Sequence, residues 1–411
     1  MKPPIYRSAL LLLALACATR PGIAAEWQLT LRAGDHERST AIVRFAAPPA
    51  LRGPAQLESA GRAPLPVQLD DAGGATFLAP PLARGATLRF VLKAVEKAPA
   101  GISTEVSGDV LKVSAGGQQI FTYQMAPGPV PEGVLPIFRH GAHLHPVFSP
   151  GGRLVTADHP ADHRWHRGIW LAWTSTGFEG RKPDFWNLGK GEGAEKSGAM
   201  QTADVRFEAL DFQWSGPVHG GFVSRHRFLD LTGAEATDVL HEIWDVTAYR
   251  LPGGDRPLHV IDLISTQACA GDSPLKLPKY HYGGLGVRGS ERWNPVDAVS
   301  MLTSNGDDRV KGDGTKAKWL WLGGEVEGGS SGIAVLIHPA NFRFPQPLRL
   351  NPKNPQICIA PSQEGDWAIA PGRPLVSRYR IVIADGPADA ALLDRLWTDY
   401  AEPPMAELAT P

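Results

Sequence analysis

Two runs of strict alternation, separated by a glycine-rich break, leave this chain little alternative to antiparallel sheet. Leu240, Glu242, Trp244, Val246 and Ala248 occupy every second position. The break reads Pro252-Gly253-Gly254-Asp255, and Val260, Asp262, Ile264 and Thr266 then resume the same period. Successive side chains of a strand point to opposite faces, so a period of two predicts a half-buried hairpin over 238–268. Glu242 and Asp262 thereby each share a strand face with apolar residues. A carboxylate turned inward is costly unless it is paired or functional, and both readings stay open.

Shorter β-like runs fill the rest. Those at 28–32, 41–45, 55–57, 67–69 and 87–95 are separated by Pro and Gly, the pattern of a small sandwich. Residues 97–101 read as a linker. Runs at 110–115 and 118–123 flank Gly116-Gly117, and paired glycines accept the positive φ of a tight hairpin turn. Apolar runs at 333–337 and 378–383 suit central strands. One helix is predicted, near the end, where Leu392, Leu393, Leu396, Trp397 and Tyr400 recur at helical spacing behind Pro387, which is read as the first helical residue. With 45 Gly and 37 Pro the chain favours turns over long helices, while 43% hydrophobic residues exclude a disordered or collagen-like chain. The expected fold class is mainly β: a large antiparallel β-sandwich at 102–405, a small N-terminal β-sandwich at 26–98 and a C-terminal helix.

The first 25 residues carry Lys2 and Arg7, an apolar run at 9–18 and an alanine-rich exit at Ala24 and Ala25. These are the three parts of a secretory signal, so a periplasmic or secreted protein is expected, cleaved after Ala25. Cys17 only partly matches a lipid-attachment site. No further stretch is apolar enough to span a bilayer. Loss of Lys2, Arg7 and Arg20 leaves 38 basic against 42 acidic residues. That balance provides no field for nucleic acid or anionic lipid. Cys269 and Cys358 are read either as one disulfide or as buried thiols.

The chemistry is concentrated at 139–186. Six of the thirteen histidines lie there (His140, His143, His145, His159, His163 and His166), with Asp158, Asp162, Arg164, Arg167, Asp184, Trp165, Trp170, Trp173 and Trp186. Histidine exchanges a proton near neutral pH, arginine suits a carboxylate or oxyanion, and tryptophan offers a flat wall for a sugar ring. The combination predicts a polar small-molecule site. A metal reading uses His143-x-His145 with Asp158, His163 or His166. Zincin and zinc-finger spacings are missing, so the assignment adopted has no metal and no cofactor.

The motifs also carry a resemblance. Pro150-Gly151-Gly152-Arg153-Leu154-Val155-Thr156, then Asp162-His163-Arg164-Trp165-His166-Arg167-Gly168-Ile169-Trp170, then Asp184-Phe185-Trp186 resemble the signature of the PmoA-like family of exported bacterial proteins. Tyr282-Gly283-Gly284-Leu285-Gly286-Val287-Arg288, His338-Pro339-Ala340-Asn341 and Arg378-Tyr379-Arg380 extend the likeness over roughly 110–403. Trp165 departs from the pattern, which more often has histidine there. The family's name derives from methane monooxygenase, an integral membrane enzyme, and a chain without a spanning segment argues against alkane oxidation. The resemblance implies a galactose mutarotase-like sandwich (a supersandwich) from carbohydrate-utilisation systems, which gives a prior for function and no more.

The function expected is that of a periplasmic carbohydrate-active enzyme working by proton transfer on a sugar or sugar derivative, as an epimerase, mutarotase, lyase or hydrolase. His163 and His166 are the expected acid and base, Arg167 and Arg288 the carboxylate or oxyanion clamps, and Glu242 a reserve base. Trp170 and Trp186 are the stacking walls. Asp184 and His281 complete the substrate-binding set, His281 because Lys279-Tyr280-His281-Tyr282 faintly resembles the segment around an epimerase histidine. The alternatives are a non-catalytic sugar-binding protein and a metal-dependent enzyme using the histidine cluster. The expected partner is a small carbohydrate ligand.

Overall fold

The computed structural model describes residues 26–189, 200–253 and 256–409. The expected export signal with Cys17, and the second half of the 252–255 turn, lie outside the described residues. The protein is mainly β, built from large antiparallel sheets. One sheet of eight strands runs in the order Ala203–Trp214, His219–Asp230, Thr237–Leu251, Leu258–Cys269, Leu375–Asp385, Gly329–Ile337, Trp319–Val326 and Ser300–Thr303. Against it lies a sheet of nine, in the order Lys316–Ala317, Gln346–Leu350, Gln356–Ile359, Gly284–Arg288, Ile169–Ala172, His143–Val147, Gln118–Gln124, Val110–Ala115 and Ile102–Ser107. Leu144, Ile169, Trp170 and Val287 from the nine-stranded sheet and Leu240, Trp244, Val246 and Leu263 from the eight-stranded sheet share one core.

The hairpin expected from the alternation is present, with Glu242 opposite Gln267 and Thr247 opposite Asp262. Its second strand faces the other way from its first. Ile261 and Leu263 join Leu240 and Trp244 in the central core, whereas Val260 and Asp262 point to the opposite side. The phase is ambiguous in sequence because both faces of this sheet are covered. On the outer face Tyr249, Leu251, Val260, Trp319 and Leu336 pack with Ile42 and with Leu393 and Leu396 of the helix Ala390–Ala401.

Strands from Trp27–Arg32 to Thr87–Ala94 form a sheet around a separate core that includes Leu29, Val43, Leu57, Phe77 and Phe90. Its last strand is Met405–Leu408, paired with Trp27–Arg32, so both ends of the described chain meet in one sheet. The boundary expected at 405 therefore falls at the start of a strand belonging to the N-terminal unit. The helix begins three residues later than expected. Asp389, not Pro387, sets the start, its carboxylate accepting from Leu392 N at 2.9 Å. Asp399 near the helix end accepts from Ser39 N (2.9 Å) and Ser39 Oγ (2.6 Å) and fastens the N-terminal unit to the helix. Between the units, Gly101 runs against backbone: a Cβ there would sit 2.3 Å from Gly216 O. Cys269 and Cys358 are free thiols, and burial pushes Cys358 up to about 12. Among the described residues no helix is long and apolar enough to cross a membrane.

Asp262 meets Arg380 in a buried bidentate pair (2.7 and 2.9 Å), and the guanidinium also lies over the Tyr400 ring at 4.4 Å. Removing one member strands the other charge, so Arg380→Met is expected to cost about 3–5 kcal/mol in urea unfolding. Asp262→Asn combined with it should recover most of that loss. Equal stabilities of the single and double variants would contradict the pairing. Nearby, burial and then Arg44 hold His219 down to about 4, with Nδ1 accepting from Trp214 Nε1. Between the unfolded value of about 6.5 and 4, the unfolded chain takes a proton that the folded chain refuses. Stability therefore falls as pH falls through that window, and His219→Gln should flatten the slope seen in unfolding midpoints.

Candidate functional site

The 148–168 excursion joins His143–Val147 to Ile169–Ala172, and its backbone is tied down at both ends. Thr156 Oγ1 accepts from Val147 N at 3.1 Å, Ala157 N donates to Arg288 O, and Arg288 N donates to Gly168 O at 2.7 Å. Gly168 has φ +33°, and a Cβ there would lie 2.1 Å from Leu144 O, so only glycine fits where the loop re-enters the sheet. Within the excursion His159 N donates to His166 O and His166 N to His163 O, a compact turn that presents His163 and His166 on one side.

That side faces a hollow. His163 and His166 stack at 4.6 Å between ring centroids, and Trp165 meets His163 edge-on at 5.0 Å. Trp186, Tyr282 and Gln356 complete the deep end, a volume of about 30 Å³, enough for one or two waters. His281 and Arg349 line both this recess and a wider outer hollow of about 430 Å³, which adds Lys279, Tyr280, Asp313 and Gln363.

The electrostatics turn on Asp162. Its carboxylate receives Arg288 through both terminal nitrogens (2.6 and 3.0 Å), His163 Nδ1 at 2.9 Å and Asn354 Nδ2 at 2.9 Å. Burial opposes its charge, but the bonds from His163 and Arg288 prevail and hold it well below the usual carboxylate range. With Nδ1 of His163 committed to Asp162, Nε2 is the atom through which that ring would exchange a proton. His166 is buried. Burial first, then the charges of His163 and Arg288, hold it well below its ordinary value, so it is neutral near pH 7. Its Nδ1 accepts weakly from Arg288 at 3.4 Å, which leaves the proton on Nε2.

Several expected roles change with these positions. Arg288 is fully buried and engaged by Asp162 and by Asn294 Oδ1 at 2.5 Å, so it positions Asp162 and cannot clamp a ligand carboxylate. Arg167 points into the interior and, among the described residues, bonds only to the carbonyls of Phe185 (3.3 Å) and Gly141 (3.5 Å). Burial lowers it to about 10, against the pull of Asp204 and Asp158. Glu242 lies between the sheets, bonded to His226 Nδ1 (2.8 Å), Ser265 Oγ (2.6 Å) and Gln267 Nε2 (2.9 Å), a closed network with no role in the hollow. Trp170 packs behind Trp186 at 4.6 Å and supports that wall. Asp184 accepts from Trp186 N and Asn187 N, shaping the turn that presents Trp186; burial raises its carboxyl against these bonds. His163, His166, Trp186 and His281 come together at the hollow.

Arg349, Asn354 and Gln356 belong to the site and were not singled out in the sequence, while Asp162 and Trp165 were named in the segment without an assigned role. Asp162 precedes His163 directly and could have been paired with it. Asn354 and Gln356 lie about 190 residues away, without a local signal. Gln356 Nε2 is buried with no hydrogen-bond partner among the described residues, an unpaired donor in the wall of the recess.

The model of a family of unknown function, DUF6807, matches residues 110–398. The chain belongs to the DUF6807 family. No curated protein matches it. Both large sheets fall almost wholly within the DUF6807 segment, as does every residue of the hollow, while the N-terminal unit precedes it. The neighbouring indoles of this DUF6807 site depend on a glycine. A Cβ on Gly286 would meet Trp186 at 2.7 Å and Trp170 at 2.8 Å, both rigid rings. Gly286→Ala should therefore cost about 1–3 kcal/mol and displace the indoles. Denaturation with tryptophan fluorescence checks both, and an unchanged midpoint and spectrum would contradict this packing.

Proposed function

We propose that this is an exported carbohydrate-active enzyme that binds a sugar or sugar derivative in the hollow and moves a proton on it through His163. The observation that carries the reading is the Asp162–His163 pair opening onto a recess walled by Trp186 and Tyr282. A carboxylate on Nδ1 fixes the tautomer and orientation of the ring and stabilises its protonated form, the requirement for a general base. The deep end is too small for a sugar ring, so the ring would occupy the outer hollow with its reacting end toward His163. There Tyr280 offers a flat face and Gln363 an amide group, while Tyr282 and Gln356 line the recess beyond.

The roles divide between the two histidines. His163 takes the proton. Neutral His166, with its hydrogen on Nε2, is a donor that orients a ligand oxygen and does not itself supply a proton readily. His281 lines the same hollow and is the candidate partner acid. Proton removal at one atom and delivery at another is the chemistry of mutarotation, epimerisation or elimination. The resemblance to PmoA-like proteins and their mutarotase-like sandwich favours the same substrate class and an extracytoplasmic location.

The test is a thermal-shift and turnover screen of the mature protein with mono- and disaccharides and uronic acids, read by melting temperature and proton NMR. A ligand of the folded state raises the melting temperature by mass action. His163→Ala should keep the shift and the parent stability while turnover falls about 10²-fold or more. Tyr280→Ala, in the wall of the outer hollow, should lose the shift. Binding with equal turnover in His163→Ala would contradict the catalytic role, and binding without turnover in the parent protein would favour a sugar-binding module.

A further inference from the structure

On the other side of the same excursion lies a second cluster that the hollow does not use. His140, His143 and His159 surround Asp158, and their rings are almost sealed from solvent, at 0%, 2% and 8% exposure. Asp158 Oδ1 is 2.7 Å from His140 Nε2 and 3.8 Å from His143 Nε2, while Oδ2 is 3.0 Å from His159 Nδ1. The ligand atoms of His140, Asp158 and His159 all lie within 4.8 Å of one another.

The outward bonds of these rings determine where their protons sit. A carbonyl only accepts, so His143 Nδ1 must donate to Gly141 O (3.2 Å) and His159 Nε2 to Phe138 O (2.9 Å). In neutral rings this leaves bare lone pairs on His143 Nε2 and His159 Nδ1, and both are directed at a carboxylate that can also only accept. His143 Nε2 is buried and has no hydrogen-bond partner among the described residues. His140 can donate from Nε2 to Asp158 Oδ1 (2.7 Å), which leaves its Nδ1 a buried lone pair without a partner among the described residues. Acceptors converging on acceptors in a buried space call for a positive charge between them. Arg167, whose charge is felt by His140 and Asp158, turns instead to the Gly141 and Phe185 carbonyls.

We propose that His140, His143, Asp158 and His159 bind one divalent transition-metal ion, with Zn²⁺ the best match. Imidazole nitrogens with one carboxylate oxygen are a donor set for zinc, and tetrahedral bonds of about 2.0–2.1 Å put neighbouring ligand atoms about 3.3 Å apart. The observed separations from Asp158, 2.7 to 3.8 Å, bracket that value. The carbonyl bonds from His143 and His159 are the outer contacts that fix the tautomer of a metal-bound histidine. This ligand set differs from the one expected in sequence. His145 turns away to Thr156 Oγ1 at 2.9 Å, and His163 and His166 face the hollow. An ion here would fasten Asp158 and His159 to the strand His143–Val147, a few residues before His163, and so brace the excursion that presents the hollow.

The test uses full-length mature protein without a histidine tag. Elemental analysis should find about one equivalent of zinc. Chelator should remove it and lower the melting temperature, and ZnCl₂ should restore both. Co²⁺ in its place should give the visible absorption of a four-coordinate nitrogen and oxygen site, a readout needing no variant. Asp158→Asn and His159→Gln should weaken Zn²⁺ binding at least about tenfold, while His281→Ala in the hollow leaves it unchanged. Parent protein that neither retains nor takes up zinc, with an unaltered melting temperature, would overturn the proposal. So would binding undiminished in both cluster variants. A protonated His159 paired with Asp158, seen by ring ¹⁵N NMR in metal-free protein that refuses Zn²⁺, would identify the charge as an imidazolium instead.

Discussion

The site hangs on one ion pair, a buried guanidinium holding a carboxylate at the surface. Arg288, fully enclosed on the strand Gly284–Arg288, grips Asp162 through two parallel bonds, and Asp162 in turn fixes His163. A guanidinium in the interior is costly, and burial lowers Arg288 below its ordinary value despite its partner. The pair places a rigid strand beneath a loop residue, so the orientation of His163 is inherited from the sheet. The same guanidinium donates to His166 Nδ1 and so selects the tautomer of the second histidine.

The excursion between His143–Val147 and Ile169–Ala172 thus has two chemically different sides. One carries His163 and His166 toward an aromatic recess, and the other gathers three histidines around Asp158. Asp158 and Asp162 have parallel tasks, each collecting histidine nitrogens, but among the described residues only Asp162 has a guanidinium bonded to it. The polar density that marks this segment in sequence therefore resolves into two centres rather than one, sharing a single stretch of backbone.

Sheet content, the 238–268 hairpin and the late helix were legible because period and turn chemistry are local properties. The strand face of Asp262 was not, because its sheet is covered on both sides and alternation then carries no direction. The long pair Ala203–Trp214 and His219–Asp230 went unread because bulges near Phe207 and Leu210 break the period of two. In the site, the cluster of His, Trp and Arg marked the right segment, and His163, His166, Trp186 and His281 converge. Arg167, Arg288 and Glu242 were assigned to ligand by residue type alone, and their actual partners are set by contacts across the fold. Asp162 bonds to Arg288 and Asn354, 126 and 192 residues away, a distance over which sequence pattern has no reach.

The most direct measurement of the central claim is ¹H–¹⁵N NMR of the histidine rings during titration with saccharides. The account predicts that His163 carries its proton on Nδ1 in the free protein, that its Nε2 resonance and the His281 signals move on binding, and that buried His226 stays still. A His163 ring protonated on Nε2, or resonances that ignore a ligand which raises the melting temperature, would contradict it.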